Sequence, residues 1–169
     1  MSMTFSRPAA AGAPWLMVLS EKHAILVFSC TLAVDGKTIE DARVALDSGS
    51  TYSILASEVV RTRNLRPMPL EKVISVTLAN GQKKSMDVGC RVDVTFAGEG
   101  KSVTRAVSMK VLDIPGFDAI LGMDFLSNRR NNPVIDWTTR SIVLAGTGVP
   151  IVADIAEDKP DALRINFMT

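Results

Sequence analysis

One carboxylate of the chain lies where a charge is costly. Asp47 follows the apolar run VAL and precedes the polar residues 48–51, and apolar residues resume at Ile54 and Leu55. Burying a carboxylate between segments that favour the interior costs free energy unless its oxygens are hydrogen-bonded. An Asp followed closely by Gly is also typical of an ordinary β-turn. Asp47 therefore has two interpretations, a turn residue or a catalytic acid.

The chemistry open to such a carboxylate depends on a second one. A carboxylate can take a proton from water, while a protonated carboxyl beside it stabilises a developing oxyanion and passes protons onward. Two carboxyls within hydrogen-bonding distance cannot both ionise, so they share one proton and titrate as a coupled pair. The sequence contains Asp-Ser-Gly once, at Asp47, and has no second Asp-Ser-Gly or Asp-Thr-Gly.

Composition indicates one globular domain. The 169 residues are 47% hydrophobic and 22% charged, which is enough apolar material for a sizeable core. We expect a flexible leader over residues 1–20, a folded domain over 21–145, and a C-terminal tail over 146–169 that could add one strand in the segment LRINF. A signal peptide at the N-terminus is the less favoured alternative, because the apolar stretch there is not dense.

The same composition argues against several classes of function. The formal net charge of +1 gives no electrostatic footprint for nucleic acid, and no apolar run is long enough to cross a membrane. One histidine and two cysteines make a zinc site improbable, and no cofactor is expected. Because two cysteines do not make a disulfide framework, we expect a reducing, intracellular and cytoplasmic location.

The elements that must position Asp47 are mostly strands. Asp35-Gly36 and Asn80-Gly81 are each typical of a type I′ hairpin turn between two strands. Short helices are predicted over SEVVRTRN, with Ser57 as a candidate cap, and over MDFLSNRR, and the prolines of RPMPL predict an extended connector. Many short strands with regular turns predict an all-β domain, closed into a barrel or sandwich, with one or two short helices.

Four motifs occur in a specific order: LDSGSTYSIL, LANG, FDAILGMDFL and PVIDWTTRSIVL. In this order the chain resembles the retropepsins, the aspartic proteases of retroviruses and long-terminal-repeat retrotransposons, and is most similar to the gypsy class. The resemblance covers roughly residues 25 to 145. It implies a homodimeric aspartic endopeptidase with one lobe per chain, in which a second copy supplies the matching Asp47 across a twofold axis.

The resemblance also assigns roles to the neighbouring residues. Asp47 is the expected catalytic residue, Ser48 and Gly49 support the active-site loop, and Ile120-Leu121-Gly122 is the strand that packs beneath it. Residues expected to contact an extended peptide substrate, such as a retrotransposon-type polyprotein, are Gly49, Ser50, Thr51, Asn80 and Gly81. The hairpin tipped by Asn80-Gly81 is similar to the flap that closes over the peptide in this family.

The sequence departs from the family in two places. Met-Asp follows Gly122 where retroviral members commonly have Arg, so their salt bridge has no counterpart here. The flap contains one glycine where retroviral flaps have several. Two further carboxylates near these motifs, Asp124 and Asp136, are expected to cap a helix and a turn, respectively.

Two alternatives remain open from the sequence. The domain could be a domesticated protease that acts on cellular substrates. It could also be an inactive protease-fold module that serves in dimerisation or peptide binding. The intact Asp47-Ser48-Gly49 favours activity.

Overall fold

The computed structural model describes residues 4–5, 17–18, 24–78, 81–158 and 165–167. The strands are β1 (Thr4–Phe5), β2 (Met17–Val18), β3 (Ala24–Val34), β4 (Lys37–Leu46), β5 (Ile54–Ala56), β6 (Met68–Leu78), β7 (Lys83–Ala97), β8 (Ser102–Leu112), β9 (Ala119–Leu121), β10 (Val134–Asp136), β11 (Ser141–Val143), β12 (Pro150–Val152), β13 (Ile155–Asp158) and β14 (Ile165–Phe167). The helices are α1 (Ser57–Thr62) and α2 (Met123–Leu126). The predicted all-β fold class with one or two short helices is confirmed.

Six of the strands pair in a closed cycle, in the order β3, β4, β9, β5, β8, β7 and back to β3. The β4–β9 and β5–β8 pairs are parallel, and the other four pairs are antiparallel. Beyond the cycle, β13 pairs with β3, while β6 pairs with β7 and carries β14 on its other edge. Closure gives the strands of the cycle partners on both sides and encloses a core.

Alternating apolar residues fill this core. On β7, Val92, Val94 and Phe96 are fully buried while the residues between them are more exposed, as expected for a strand with one face inward. The ring of Phe96 contacts Phe28 edge to face, with centroids 5.8 Å apart. The ring of Phe125 in α2 also packs against Phe96, with centroids 6.4 Å apart, so an aromatic side chain anchors the short helix to the barrel.

The β3–β4 hairpin confirms the turn predicted at Asp35-Gly36. Both residues have positive φ, 52° and 71°, as a type I′ turn requires. After the turn, β4 pairs antiparallel with β3 as far as Leu46, which lies opposite Leu26. Asp47 therefore comes at the end of a long and well-paired strand.

Several element boundaries differ from the sequence prediction. β6 begins at Met68, inside the segment RPMPL, because Met68 and Pro69 pair with β7. α2 has four residues, fewer than predicted. Helix α1 begins at Ser57 itself, with Ala56 as its N-cap, so the candidate cap at Ser57 is wrong.

The two terminal regions also contain strands. β1 and β2 pair antiparallel within the first twenty residues, and β12, β13 and β14 lie beyond residue 145. β14 falls within LRINF. β12 pairs with β11, whereas β13 and β14 join the large sheet.

Two smaller findings concern the helices and the cysteines. In the part of the chain that the structure describes, neither helix is long and apolar enough to cross a bilayer. Cys30 and Cys90 are both free and buried.

Candidate active site

The loop that carries Asp47 joins β4 to β5 and passes around the end of β9. β9 lies between these two strands, because Ala45 of β4 and Ile54 of β5 both pair with Ile120, on opposite edges. The Asp47 N–H donates to the carbonyl of Leu121 at 2.9 Å. The loop is therefore attached to β9 from the residue at which it begins.

The Asp47 side chain is held inside this loop. It is only 4% exposed, and its Oδ1 accepts a hydrogen bond from the Gly49 N–H at 2.9 Å. The Asp47 carbonyl accepts a further bond from the Ser50 N–H at 3.2 Å. A backbone donor that faces a carboxylate offsets part of the cost of burial and fixes the direction of the carboxylate.

The other loop residues differ in their exposure to solvent. Ser48, Gly49 and Thr51 are exposed, so the outermost part of the loop is accessible. Ser50 is 1% exposed, and its hydroxyl donates to the Tyr52 carbonyl at 2.7 Å. The Ser50 hydroxyl is thus used within the loop. Little of Ser50 is accessible for the substrate contact that was predicted at this position.

Gly122 is where the loop and β9 come closest. Its φ of −101° suits any residue, but a Cβ there would lie 2.5 Å from the Ser50 carbonyl oxygen and 2.6 Å from that of Tyr52. Ile120 and Leu121 before it are completely buried. The structure places the predicted apolar-apolar-Gly strand directly beneath the loop, and glycine is needed here for space.

Asp124 has a different role from the predicted one. The N-cap of α2 is Gly122, which makes no side-chain capping bond, so the prediction that Asp124 caps the helix is wrong. The Asp124 carboxylate accepts the Phe125 N–H of its own helix at 2.8 Å and two bonds from Ser53, from its N–H at 3.0 Å and from its hydroxyl at 2.6 Å. Sequence reasoning missed this contact because the two residues are 71 positions apart. The one available signal was the acidic residue close after Ile-Leu-Gly.

The predicted flap is a hairpin of β6 and β7. Ile74 pairs with Met86 and Val76 with Lys84, and both Met86 and Val76 are buried. Gly81 is exposed with φ at +81°, a conformation that favours glycine. Asn80, the other predicted tip residue, lies outside the described residues.

The remaining candidate groups do not join this site. Asp136 accepts bonds from the Thr138 and Thr139 N–H groups, which confirms its predicted turn and lowers the pKa of its carboxyl. Burial, with a smaller contribution from the charge of Asp154, raises the pKa of the Cys30 thiol to about 12. Within the described ranges, no three His, Cys, Asp or Glu residues are grouped so that they could hold a metal ion.

Comparison with known proteins gives one family match. Residues 43–148, more than half of the chain, match the family model described as the PEG10/RTL1 protease domain. Among solved structures, the chain is similar to the retroviral protease-like domain of Ddi1 from Leishmania major, with 17% identity and a TM-score of 0.47. That similarity covers 79% of this chain and 100% of the other. No curated protein matches.

Proposed function

The chain belongs to the PEG10/RTL1 protease domain family, which is retropepsin-like, and from this premise we propose that it is a homodimeric aspartic endopeptidase. Asp47 is the catalytic residue of each copy. The substrate is an extended peptide segment, and the natural target is a polyprotein of the retrotransposon type. The two free, buried cysteines support a reducing, intracellular location.

The observation that carries the proposal is the state of Asp47. Its carboxylate is buried, and a backbone N–H from its own loop holds Oδ1 at 2.9 Å. The flanking Ser48 and Gly49 are exposed. A buried, oriented carboxylate beside an accessible loop is the arrangement that a second identical loop can approach.

Catalysis then requires two copies of the chain. A twofold axis through the loops brings the two Asp47 carboxyls together, and they share one proton because two adjacent carboxylates repel each other. The ionised carboxyl takes a proton from water, the water attacks the peptide carbonyl, and the protonated carboxyl donates to the carbonyl oxygen. The pair later passes a proton to the leaving amine. No metal or cofactor takes part.

The hairpin of β6 and β7 supplies the proposed cover. An extended peptide that lies between this hairpin and the Asp47 loop can make main-chain hydrogen bonds to both, as in β-strand addition. Closure excludes water other than the attacking molecule and holds the scissile bond in place.

The test is cleavage of a peptide library at mildly acidic pH by the wild type and by Asp47→Asn. We expect the wild type to cleave and to be inhibited by pepstatin, and Asp47→Asn to be inactive while it remains folded. Asp93→Asn is the matched control, because it removes the same charge from an exposed position of β7 and should leave cleavage unchanged. Equal cleavage by the wild type and Asp47→Asn would refute the enzymatic proposal.

The alternatives give different results in the same assay. A domesticated protease would cleave the library but not a retrotransposon-type polyprotein. An inactive module would bind peptides equally well as wild type and as Asp47→Asn, with no cleavage by either.

A further inference from the structure

The side chains of Asp124 and Ser53 connect the two ends of the site. Ser53 closes the Asp47 loop just before β5, and Asp124 lies in α2, two residues after Gly122. Ser53 is fully buried. Their contact is therefore a link between the catalytic loop and the segment that follows β9.

Every polar atom of this link is used. The Ser53 N–H donates to Asp124 Oδ2, and the Ser53 hydroxyl donates to Oδ1. The Ser53 Oγ also accepts the Gly122 N–H at 3.1 Å. Oδ1 of Asp124 accepts the N–H of Phe125 as well, at 2.8 Å. Hydrogen bonds to a carboxylate are in general stronger than those between neutral groups, so this link contributes more than backbone bonds alone would.

Backbone bonds extend the link to the catalytic residue. The Met123 N–H donates to the Ser50 carbonyl at 2.7 Å, and the Asp124 N–H donates to the Thr51 carbonyl at 3.2 Å. The Ser50 N–H in turn donates to the Asp47 carbonyl. The position of Asp47 therefore depends on residues 50–53, and these are held by residues 122–124.

We propose that Asp124 is a positioning residue for Asp47, which it holds in the catalytic orientation through Ser53 and the loop. This inference rests on the proposed protease function.

The arrangement uses both carboxylate oxygens of Asp124 as acceptors. Its two oxygens face three donors, the Ser53 N–H, the Ser53 hydroxyl and the Phe125 N–H. An Asn side chain offers one acceptor oxygen and an NH₂ group, so one of the backbone donors would meet another donor. Even the closest replacement, Asp124→Asn, therefore loosens the loop.

The test compares Asp124→Asn and Ser53→Ala with Asp118→Asn. Asp118 is the matched control, because it also accepts a backbone N–H, that of Arg43 at 2.8 Å, but at the opposite end of β9. We expect kcat to fall by about tenfold to a hundredfold in the first two variants, with KM nearly unchanged. Asp118→Asn should lower the free energy of unfolding without this fall in kcat. The Asp124→Asn/Ser53→Ala double variant should lose no more kcat than either single variant.

Two results would overturn the inference. One is a fall in kcat that is the same for Asp124→Asn and Asp118→Asn once the folded fraction is taken into account. The other is a double variant whose losses multiply, which would show that Asp124 and Ser53 act separately.

Amide hydrogen exchange separates this inference from the protease proposal. Exchange at Gly49 and Ser50 should be faster in Asp124→Asn than in the wild type or Asp118→Asn, even if the chain cleaves no peptide. If the wild type is inactive but exchange behaves in this way, the function fails and the positioning role remains. Unchanged exchange at Gly49 and Ser50 would refute the positioning role.

Discussion

Asp47 is the one charged residue that is buried among the residues whose burial the structure describes. The Gly49 N–H of its own loop donates to its carboxylate, and Gly122 lies beneath the loop, where no side chain fits. Charges are seldom buried without a partner or a function, because desolvation of an ion costs several kcal/mol. At the residue scale, the main argument for a catalytic role is that the Asp47 carboxylate is buried within a loop whose neighbouring residues are exposed.

The close contact at Gly122 gives the first prediction. Gly122→Ala places a Cβ 2.5 Å from the Ser50 oxygen and must displace the Asp47 loop. We expect a loss of about 3 kcal/mol or more in the free energy of unfolding, measured by urea denaturation.

Gly146→Ala is the control for this prediction. Gly146 has φ at +76° and open space around its Cα, so its substitution costs only the backbone strain of about 1 kcal/mol. Equal losses for Gly122→Ala and Gly146→Ala would show that the contact at Gly122 is easily relieved.

The Cys30 thiol gives a pH-dependent prediction. Because its pKa in the folded chain is about 12, against 9.0 for an ordinary thiol, the folded state holds this proton more tightly than the unfolded state does. The resulting stability is fully present below about pH 9 and is lost as pH rises toward 12.

Urea denaturation between these pH values tests it. This thiol should lower the free energy of unfolding by up to about 1.4 kcal/mol per pH unit as the pH rises. The free energy of unfolding of Cys30→Ala should therefore decrease less steeply with pH. Parallel pH curves for the wild type and Cys30→Ala would contradict the prediction. In the native chain near pH 8 the buried thiol should also resist alkylation.

At the scale of elements, the site depends on β9 lying between β4 and β5. Two parallel pairs and one antiparallel pair meet there, and together they hold the Asp47 loop at the end of the barrel. The hairpin of β6 and β7 is the second element, and its tip at Gly81 has the left-handed backbone that the turn needs.

The flap proposal predicts an effect of Gly81→Ala on substrate binding. The substitution strains a positive φ by about 1 kcal/mol and disturbs the tip that is proposed to cover the peptide. KM should rise severalfold. Gly36→Ala is the control, because Gly36 has φ at +71° in the β3–β4 turn, and its KM should remain that of the wild type. A rise in KM that is equal for both would mean that the tip makes no special contribution.

The sequence predicts local features of these elements well and distant ones poorly. The turn at Asp35-Gly36 and the turn at Asp136 follow from residues next to each other, and the structure confirms both. The contact of Asp124 with Ser53 and the early start of β6 depend on residues far apart in the chain. The spacing of residues along the sequence does not reveal contacts between distant residues, because these depend on how the closed sheet packs.

At the scale of the whole molecule, each chain has a closed barrel with one Asp-Ser-Gly loop. A mechanism with two carboxyls is therefore incomplete in one copy. The exposed Ser48 and Gly49 are the part of the loop that a second copy would meet. In the proposed mechanism, dimerisation assembles the active site, and the strength of the dimer would set the activity at a given protein concentration.

Dilution tests this association. Activity per chain should fall on dilution together with the dimer fraction measured by sedimentation, because separated copies each lack the second carboxyl. Activity per chain that is constant while the dimer dissociates would show that a single copy is sufficient.

The most direct measurement mixes wild-type and Asp47→Asn chains at a constant total concentration high enough to maintain the dimer. If both Asp47 carboxyls are required, replacing half of the chains should leave about a quarter of the activity, because random pairing makes one dimer in four fully wild type. A remaining activity of about one half would contradict the account, since it would mean that each chain acts alone.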